Sequence, residues 1–226
     1  MNNFSLNPVL PSKEQIQQLP VFQNLPLQQI QVIHSLQQCH AIEQELKTCA
    51  LFGFDTESKP TFNKGEVSTG PHLIQLASRD KAYLFQISPA ILEFLKPIFE
   101  NKNQMKVGFG LKNDAHLFRK KGIELHNVIE LSKCFSAFGF SNPMGLKNAM
   151  ALLFQVNFPK SKKISTSNWA RKILTPHQIE YAAADAYAPV LVFEELLRLG
   201  LLPKTMTRHL FKLSMQPNTI KAETDA

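Results

Sequence analysis

The sequence predicts an α/β domain with a mixed sheet flanked by helices, in which an antiparallel meander is followed by parallel strands. Three short apolar segments, residues 51–55, 72–77 and 82–87, lie close together, as expected for strands that pair locally. After residue 90, strand-like segments alternate with helical ones, a pattern typical of parallel strands joined by helices. The length of 226 residues suffices for one large domain.

The local patterns place the remaining elements. Three further strands are expected over residues 29–34, 105–109 and 128–131. Helices are expected over residues 36–48, 90–100, 113–121, 146–154 and 175–199. Thr175 is a good N-cap and Pro176 suits the first helical position, so the start of the last helix is the best defined.

Composition shifts divide the chain into three regions. Residues 1–26 are rich in Asn, Gln and Pro without a clear period, and predict an extension that is partly ordered at best. Residues 27–202 form the expected folded domain, including a loop over 59–70 and a basic loop over 158–167. The polar tail, residues 203–226, is expected to end in disorder.

The charge and cysteine content narrow the class of protein. The formal net charge is +7 and the pI is about 9.3, which favours a polyanionic partner such as nucleic acid. Three cysteines without a Cys-x-x-Cys pair indicate reduced thiols rather than a disulfide framework. No apolar run approaches the roughly 20 residues that span a membrane, and the amino terminus does not resemble a secretory signal. These features predict a cytoplasmic protein that does not bind membranes.

Four acids and a tyrosine follow or lie within apolar segments, where charge is costly unless it is compensated. They are Asp55, Glu57, Asp114, Tyr181 and Asp185. In an extended chain, residues i and i+2 point to one side, so the first two acids can bind one cation. The tyrosine and the last acid are four residues apart and share a helix face. Each alone fits an ordinary polar turn or helix surface, but converging carboxylates suit a hard divalent cation, Mg²⁺ or Mn²⁺.

The glycine pair before Asp114 requires a separate interpretation. Gly108-Phe109-Gly110 lacks the third glycine of a dinucleotide-binding loop, so it predicts a turn that leads from a strand into a helix. An acid in the first turn of that helix is favoured by the helix dipole, with or without a functional role.

The order of these motifs resembles the DEDD superfamily of DnaQ-like 3′–5′ exonucleases, whose fold is RNase H-like. The tyrosine four residues before the last acid is typical of its DEDDy branch, which includes ribonuclease D and Werner-type exonucleases. The resemblance covers roughly residues 30–200. Further matching segments are HLIQLA at 72–77, SNW at 167–169 and QIEYAAADAYA at 178–188.

Within the branch, Asp185-Ala186-Tyr187-Ala188 and the segment DTESKP at 55–60 are closer to free-standing Werner-type domains than to ribonuclease D. Ribonuclease D usually has phenylalanine where Ser58 stands, and carries helical domains after the exonuclease. One departure from the family is Glu130, because aspartate is common at that position.

The resemblance implies a two-metal hydrolysis of phosphodiester bonds from the 3′ end, which releases nucleoside 5′-monophosphates. Asp55, Glu57 and Asp185 would hold one divalent cation, and Asp55 with Asp114 through water would hold the second. Tyr181 would orient the attacking water, since an ordinary tyrosine pKa near 10 makes it a poor base at neutral pH.

Substrate binding requires cations for phosphates and flat side chains for bases. The substrate-binding candidates are Thr56, Lys59, His72, Lys112, Lys163 and Trp169. Other lysines near the motifs are Lys64, Lys160 and Lys162. Each lysine can equally be a solvated surface charge. Trp169 either stacks on a base or packs beside the last helix, and packing is the more common outcome.

The expected partner is single-stranded or 3′-recessed nucleic acid, with DNA slightly favoured over RNA. Two alternatives stay open: an RNA-processing exoribonuclease like ribonuclease D, and an inactive nucleic-acid-binding module of the same fold. Because decayed members usually lose a ligand, the filled set of five motif positions favours the enzyme. The sequence leaves open the oligomeric state and whether a separate helicase supplies the substrate.

Overall fold

A computed structural model describes residues 9–61 and 69–203 of the chain. Its strands form one sheet with the order β1-β4-β3-β2-β5-β6. The strands are β1 (Ile30–Ile33), β2 (Leu51–Glu57), β3 (Leu73–Ala77), β4 (Ala82–Gln86), β5 (Met105–Gly108) and β6 (Val128–Glu130). The pairs β2–β3 and β3–β4 are antiparallel, whereas β1–β4, β2–β5 and β5–β6 are parallel. The predicted mixed sheet, with a meander followed by parallel strands, is therefore confirmed.

Helices cover both faces of the sheet. The α-helices are α1 (Lys13–Gln18), α2 (Leu36–Ala41), α3 (Glu43–Thr48), α4 (Pro89–Phe99), α5 (Lys112–Lys120), α6 (Leu146–Phe154), α7 (Lys162–Ser165) and α8 (Pro176–Arg198). Two 3₁₀ segments, Leu27–Gln29 and Leu131–Phe138, complete the regular structure of the described residues. None of the helices in this part of the chain is both long and apolar enough to cross a membrane.

Three local expectations were incomplete. The single helix expected over 36–48 is divided into α2 and α3, because Ile42 leaves the helical region with φ −113° and ψ 4°. The basic loop expected over 158–167 contains the short helix α7, which Ser161 caps by accepting a hydrogen bond from the backbone N–H of Ile164. The 3₁₀ segment Leu131–Phe138 was not foreseen.

The segment predicted as an N-terminal extension is partly packed onto the domain. Ser12 and Gln15 form a capping box at the start of α1, and Ile16 in that helix is buried. Phe22 and Leu25 are each only 8% exposed, and Phe22 lies against Phe158 with ring centroids 5.2 Å apart. The apolar side chains of this stretch, rather than its polar composition, decide its structure. Most of the polar tail, from residue 204, lies outside the described residues.

The core has two main sides, separated by the sheet. Phe52, Phe54 and Phe99 are fully buried on the side covered by α2 and α4. The long helix α8 covers the other side and lies directly against β2. Gly53 permits that approach, because a Cβ atom at this position would lie 1.8 Å from the carbonyl oxygen of Ala186. The small residues of α8 therefore bring its backbone close to the strand that carries two of the acids.

Candidate active site

Carboxylates from β2 and α8 converge where the two elements touch. Gly53, Asp55 and Glu57 are two residues apart along β2. In a strand, residues at this spacing share one face, and here it is the face toward α8. Asp185 lies one residue before Ala186, at the close contact. Oxygen atoms of Asp55, Glu57 and Asp185 lie within 4.8 Å of one another. The alternation of β2 and the thin alanine face of α8 thus assemble three of the predicted metal ligands.

The negative charges of these carboxylates are poorly compensated by other groups of the protein. Burial, followed by the charge of Asp185, raises the pKa of Glu57 to about 8. Burial also raises the pKa of Asp55, and the neighbouring acids, beginning with Asp185, raise it further. Asp185 is 5% exposed, and its Oδ1 has no hydrogen-bond partner among the described residues. An orphaned buried oxygen beside two other carboxylates is the donor set that a divalent cation requires.

Asp114 joins the site through a threonine rather than through the group of three acids. The Thr56 hydroxyl donates a hydrogen bond to Asp114 Oδ1, and the Thr56 N–H donates to Asp55 Oδ1 at 2.9 Å. Burial is the main cause that raises the pKa of Asp114, and the Thr56 bond opposes it. Thr56, predicted to bind substrate, therefore links the carboxylates of β2 and α5 in this structure.

Glu130 at the end of β6 holds the turn that leads into α5. Its Oε1 accepts a hydrogen bond from the N–H of Gly110 at 3.0 Å, and its Oε2 accepts one from the N–H of Leu111 at 2.8 Å. Oε1 also accepts from the N–H of Ser132 at 3.2 Å. Through this turn Glu130 sets where α5, and with it Asp114, begins. The sequence marked Glu130 only as a departure from aspartate, and its anchoring role was not foreseen.

Tyr181 lies one helical turn before Asp185 and is 8% exposed. It lies on the same face of α8 as Asp185, as expected, and its hydroxyl interacts with the Asp185 carboxylate. Burial and the charge of Asp185 raise the tyrosine pKa well above its ordinary value. The raised pKa keeps the side chain protonated near neutral pH, which suits a hydrogen-bonding role.

A cavity of about 310 Å³ opens onto the acids. Asp55 and Asp185 line it together with Phe109, Met144 and Lys160. The charge of Lys160 lowers the pKa of both Glu57 and Asp185, so this lysine partly compensates the acid group. The sequence did not distinguish Lys160 from its neighbours in the basic loop, and it gave no signal that Phe109 and Met144 face the cavity.

His72 organises the chain after β2. Its Nδ1 accepts a hydrogen bond from the backbone N–H of Lys59 at 3.1 Å, and its Nε2 lies 3.1 Å from Thr69 Oγ1. The acceptor role of Nδ1 requires the tautomer in which Nε2 carries the proton and donates to Thr69. Burial, followed by the charges of Lys121 and Lys59, lowers the histidine pKa, in agreement with a neutral ring.

The other substrate-binding candidates are dispersed. Trp169 is 1% exposed, with its indole N–H donating to the carbonyl of Ser165 at 3.1 Å, so its ring is packed in the core and has no free face for a base. Lys112 is exposed at the start of α5, whereas Lys163 on α7 lines a different cavity from that of the acids. Lys64 falls within residues 62–68, outside the described chain.

A sequence profile of 3′–5′ exonucleases matches residues 30–200. The chain belongs to the 3′–5′ exonuclease family. The mouse bifunctional 3′–5′ exonuclease/ATP-dependent helicase WRN is 31% identical over 169 residues, which cover 70% of this chain and 12% of the mouse protein. A 3′–5′ exonuclease of Arabidopsis thaliana is 30% identical over 145 residues, 62% of this chain and 50% of the plant protein. This exonuclease chain therefore matches half or less of the length of these relatives.

Solved structures share the exonuclease fold. The EXO domain of Aedes aegypti Nibbler aligns with a TM-score of 0.68 at 22% identity, covering 84% of this chain and all of that domain. Trypanosoma brucei RNase D in complex with RNA U12 aligns with a TM-score of 0.67 at 15% identity, covering 94% and 77%. Both the predicted fold class and the predicted family are confirmed.

Proposed function

We propose that this chain is a metal-dependent 3′–5′ exonuclease that removes nucleoside 5′-monophosphates from the 3′ end of a nucleic-acid strand. The observation that carries the proposal is the group formed by Asp55, Glu57 and Asp185, whose oxygen atoms lie within 4.8 Å of one another. One of these buried oxygens has no hydrogen-bond partner among residues 9–61 and 69–203. Membership of the exonuclease family supports the same reaction.

The residues divide the work between cation binding and orientation. Asp55, Glu57 and Asp185 would hold one divalent cation, and Asp55 with Asp114 would hold a second through water. Mg²⁺ or Mn²⁺ ions bound there would supply positive charge to the scissile phosphate as charge develops on its oxygens. Thr56 keeps the Asp114 carboxylate aimed at Asp55, because it hydrogen-bonds both acids.

Tyr181 orients the attacking water and does not remove its proton. Its hydroxyl interacts with the Asp185 carboxylate, and its oxygen lone pairs can accept a hydrogen bond from a water and aim it at phosphorus. Attack by that water forms a new P–O bond and breaks the bond from phosphorus to the 3′ oxygen. The phosphate stays attached at the 5′ position of the released nucleotide. The 3′ oxygen of the shortened strand is the leaving group and takes up a proton.

The preferred substrate follows from the motifs rather than from the metal site, which acts on a phosphodiester with either sugar. We place DNA ahead of RNA because the segments around Asp55 and Asp185 resemble Werner-type exonucleases. RNA is the second candidate, since an RNase D of the same fold was solved in complex with RNA U12. Single-stranded and 3′-recessed ends are both candidate substrates.

The proposal is tested by incubating 5′-labelled single-stranded DNA, single-stranded RNA and 3′-recessed duplex with the protein in Mg²⁺, Mn²⁺ or EDTA. We expect a ladder that shortens from the 3′ end with either metal and no cleavage in EDTA. Asp55→Asn should lower the rate by at least about 10³-fold, because several kcal/mol of charge stabilisation depend on the metal site.

Asp80→Asn is the matched control, since Asp80 is an exposed acid in the turn between β3 and β4, and it should cleave like the unaltered protein. Normal turnover by Asp55→Asn would overturn the site assignment. Retained binding without cleavage of any substrate would favour the inactive binding module. The ratio of DNA to RNA cleavage decides between the two substrate candidates.

A further inference from the structure

A second cavity lies beside the acid site, between α7 and the start of α8. Its volume is about 620 Å³, twice that of the cavity at the acids. The two cavities adjoin along the chain, because Lys160 lines the first and the next residue, Ser161, lines the second. The larger cavity is therefore placed where a strand leaving the acid site can continue.

The lining of this cavity is positively charged. Lys163, Arg171 and His177 contribute to it, and none of the described residues that line it carries a carboxylate. Neither Lys163 nor Arg171 forms an ion pair with another described residue, and the carboxylate nearest to His177 is that of Glu180 at 3.9 Å. Scattered surface lysines are usually only solvated, but two unpaired cations around one concavity form a site for an anion.

The floor of the cavity is rigid and polar. Gln178 is 3% exposed, and its side-chain amide donates to Ser167 Oγ at 2.9 Å while its carbonyl accepts from the backbone N–H of Thr175 at 3.0 Å. The second of these bonds belongs to the capping box that starts the 23-residue helix α8. The positive end of the helix dipole at this point adds to the attraction for an anion.

Residue positions along helix α8 give the separation between the cavity and the acids. Gln178 and Asp185 are seven residues apart, which corresponds to about 10 Å along the helix axis, and Thr175 lies about 15 Å away. Successive phosphates of a stacked strand are about 3.4 Å apart along the axis, so this separation spans about three or four nucleotides. Tyr181 lies between the two sites on the same helix.

We propose that this cavity binds a backbone phosphate of the substrate strand about three or four nucleotides from the cleaved bond, with Lys163 and Arg171 as the phosphate ligands. The inference rests on the proposed function and specifies how its substrate is held. A strand long enough to reach both sites gains affinity from the cavity, whereas a dinucleotide gains none.

The test compares a dinucleotide and a 12-nucleotide single strand as substrates of Arg171→Gln and of the double variant Lys163→Gln/Arg171→Gln. The matched control is Arg198→Gln, at the opposite end of α8, where the arginine is paired with Glu195. Cleavage is measured in Mg²⁺, and affinity for the 12-nucleotide strand is measured separately by fluorescence anisotropy in EDTA at several salt concentrations.

We expect the double variant to raise KM for the long strand about tenfold, to leave kcat unchanged, and to cleave the dinucleotide normally. Loss of both cations should reduce the slope of log affinity against log salt by about 0.7, the value for one neutralised phosphate of a single strand. Arg171→Lys should restore the slope, because it restores the charge. Arg198→Gln should behave like the unaltered protein in every assay.

An unchanged salt slope in the double variant would overturn the proposal, as would equal losses on the dinucleotide and the long strand. The anisotropy measurement separates this inference from the proposed function. If the unaltered protein cleaves nothing, the exonuclease proposal fails, while a slope that still falls in the double variant would support the phosphate site as a binding site.

Discussion

Charge is buried at both ends of the adjacent strands β2 and β5, but the protein treats the two ends differently. Lys106 on β5 is fully buried, and its Nζ donates to the carbonyls of Asn101 and Gln104, each at 2.9 Å. Asp185, which meets the far end of β2, keeps one oxygen without a hydrogen-bond partner in the described part of the chain. Lys106 is satisfied by the chain itself, whereas Asp185, a proposed cation ligand, keeps an oxygen available for a ligand.

The same physical cause acts at both ends. Burial disfavours the charged form of any group, so it lowers the pKa of Lys106 to about 8 and raises the pKa of Glu57 to about 8. The acids carry an additional cost, because they repel one another. A bound cation would offset the repulsion among the acids. The two ends therefore differ in whether groups of the protein alone compensate the buried charge.

The largest expected effect is that of Asp185→Asn, which should change activity and stability in opposite directions. Cleavage should fall by at least about 10³-fold, because a ligand charge is lost. In EDTA the variant should unfold at a higher temperature than the unaltered protein, because a buried, repelled charge is replaced by a neutral group of the same shape. Thermal unfolding in EDTA and a cleavage assay in Mg²⁺ measure the two effects.

The stability gain should depend on pH. Since the folded-state pKa of Asp185 lies above its unfolded value, its ionisation costs stability at pH values above the unfolded pKa. The gain of Asp185→Asn in EDTA should therefore be larger at pH 8 than at pH 5. A lower unfolding temperature for the variant at pH 8 would show that the carboxylate stabilises the fold and would contradict the comparison.

An intermediate effect is expected for Gly53→Ala, which alters the contact that joins the two acid-bearing elements. The added methyl group would lie 1.8 Å from the carbonyl oxygen of Ala186, so α8 must move away from β2. We expect a loss of about 3 kcal/mol in the free energy of unfolding, as for overpacking of a dense core. Cleavage should also fall, because Asp185 would be displaced from Asp55.

Urea denaturation measures the loss, and Gly145→Ala is its control. Gly145 is the N-cap of α6 with φ −78°, and a Cβ atom there would meet nothing within 4 Å, so we expect only the loss for glycine to alanine at an N-cap, about 1 kcal/mol or less. If Gly53→Ala were as stable and active as the unaltered protein, the close approach of α8 would not determine the geometry of the site.

The smallest effect concerns Lys106. Its folded pKa of about 8 lies below the usual value of 10.5, so between these values the unfolded chain binds more protons and the stability rises with pH. The contribution amounts to about 1 kcal/mol between pH 7 and pH 9. Lys106→Met should lose this rise in urea denaturation, whereas Lys102→Met, at an exposed position, should keep it. If the free energy of unfolding had the same pH dependence in both variants, Lys106 would not carry a buried charge.

The sequence predicted the motif residues because their spacing matches the periods of strands and helices. Asp55 and Glu57 obey the two-residue repeat, and Tyr181 and Asp185 the four-residue repeat, so their shared faces were foreseen. Lys160 lies in an irregular segment, where no period indicates direction, and its position beside the acids came only from the structure. The burial of Lys106 was equally hidden, because its strand is covered on both faces and does not alternate.

The order of the acids along the chain has a consequence for biosynthesis. The sheet that carries Asp55 precedes α8, which supplies Asp185 and contacts five of the strands. During vectorial synthesis, a nascent chain can form the meander and the parallel strands well before α8 leaves the ribosome. Until that helix docks, the cluster lacks one of its three carboxylates. The complete group of three carboxylates, and with it the proposed cation site, therefore forms only when α8 packs against the sheet.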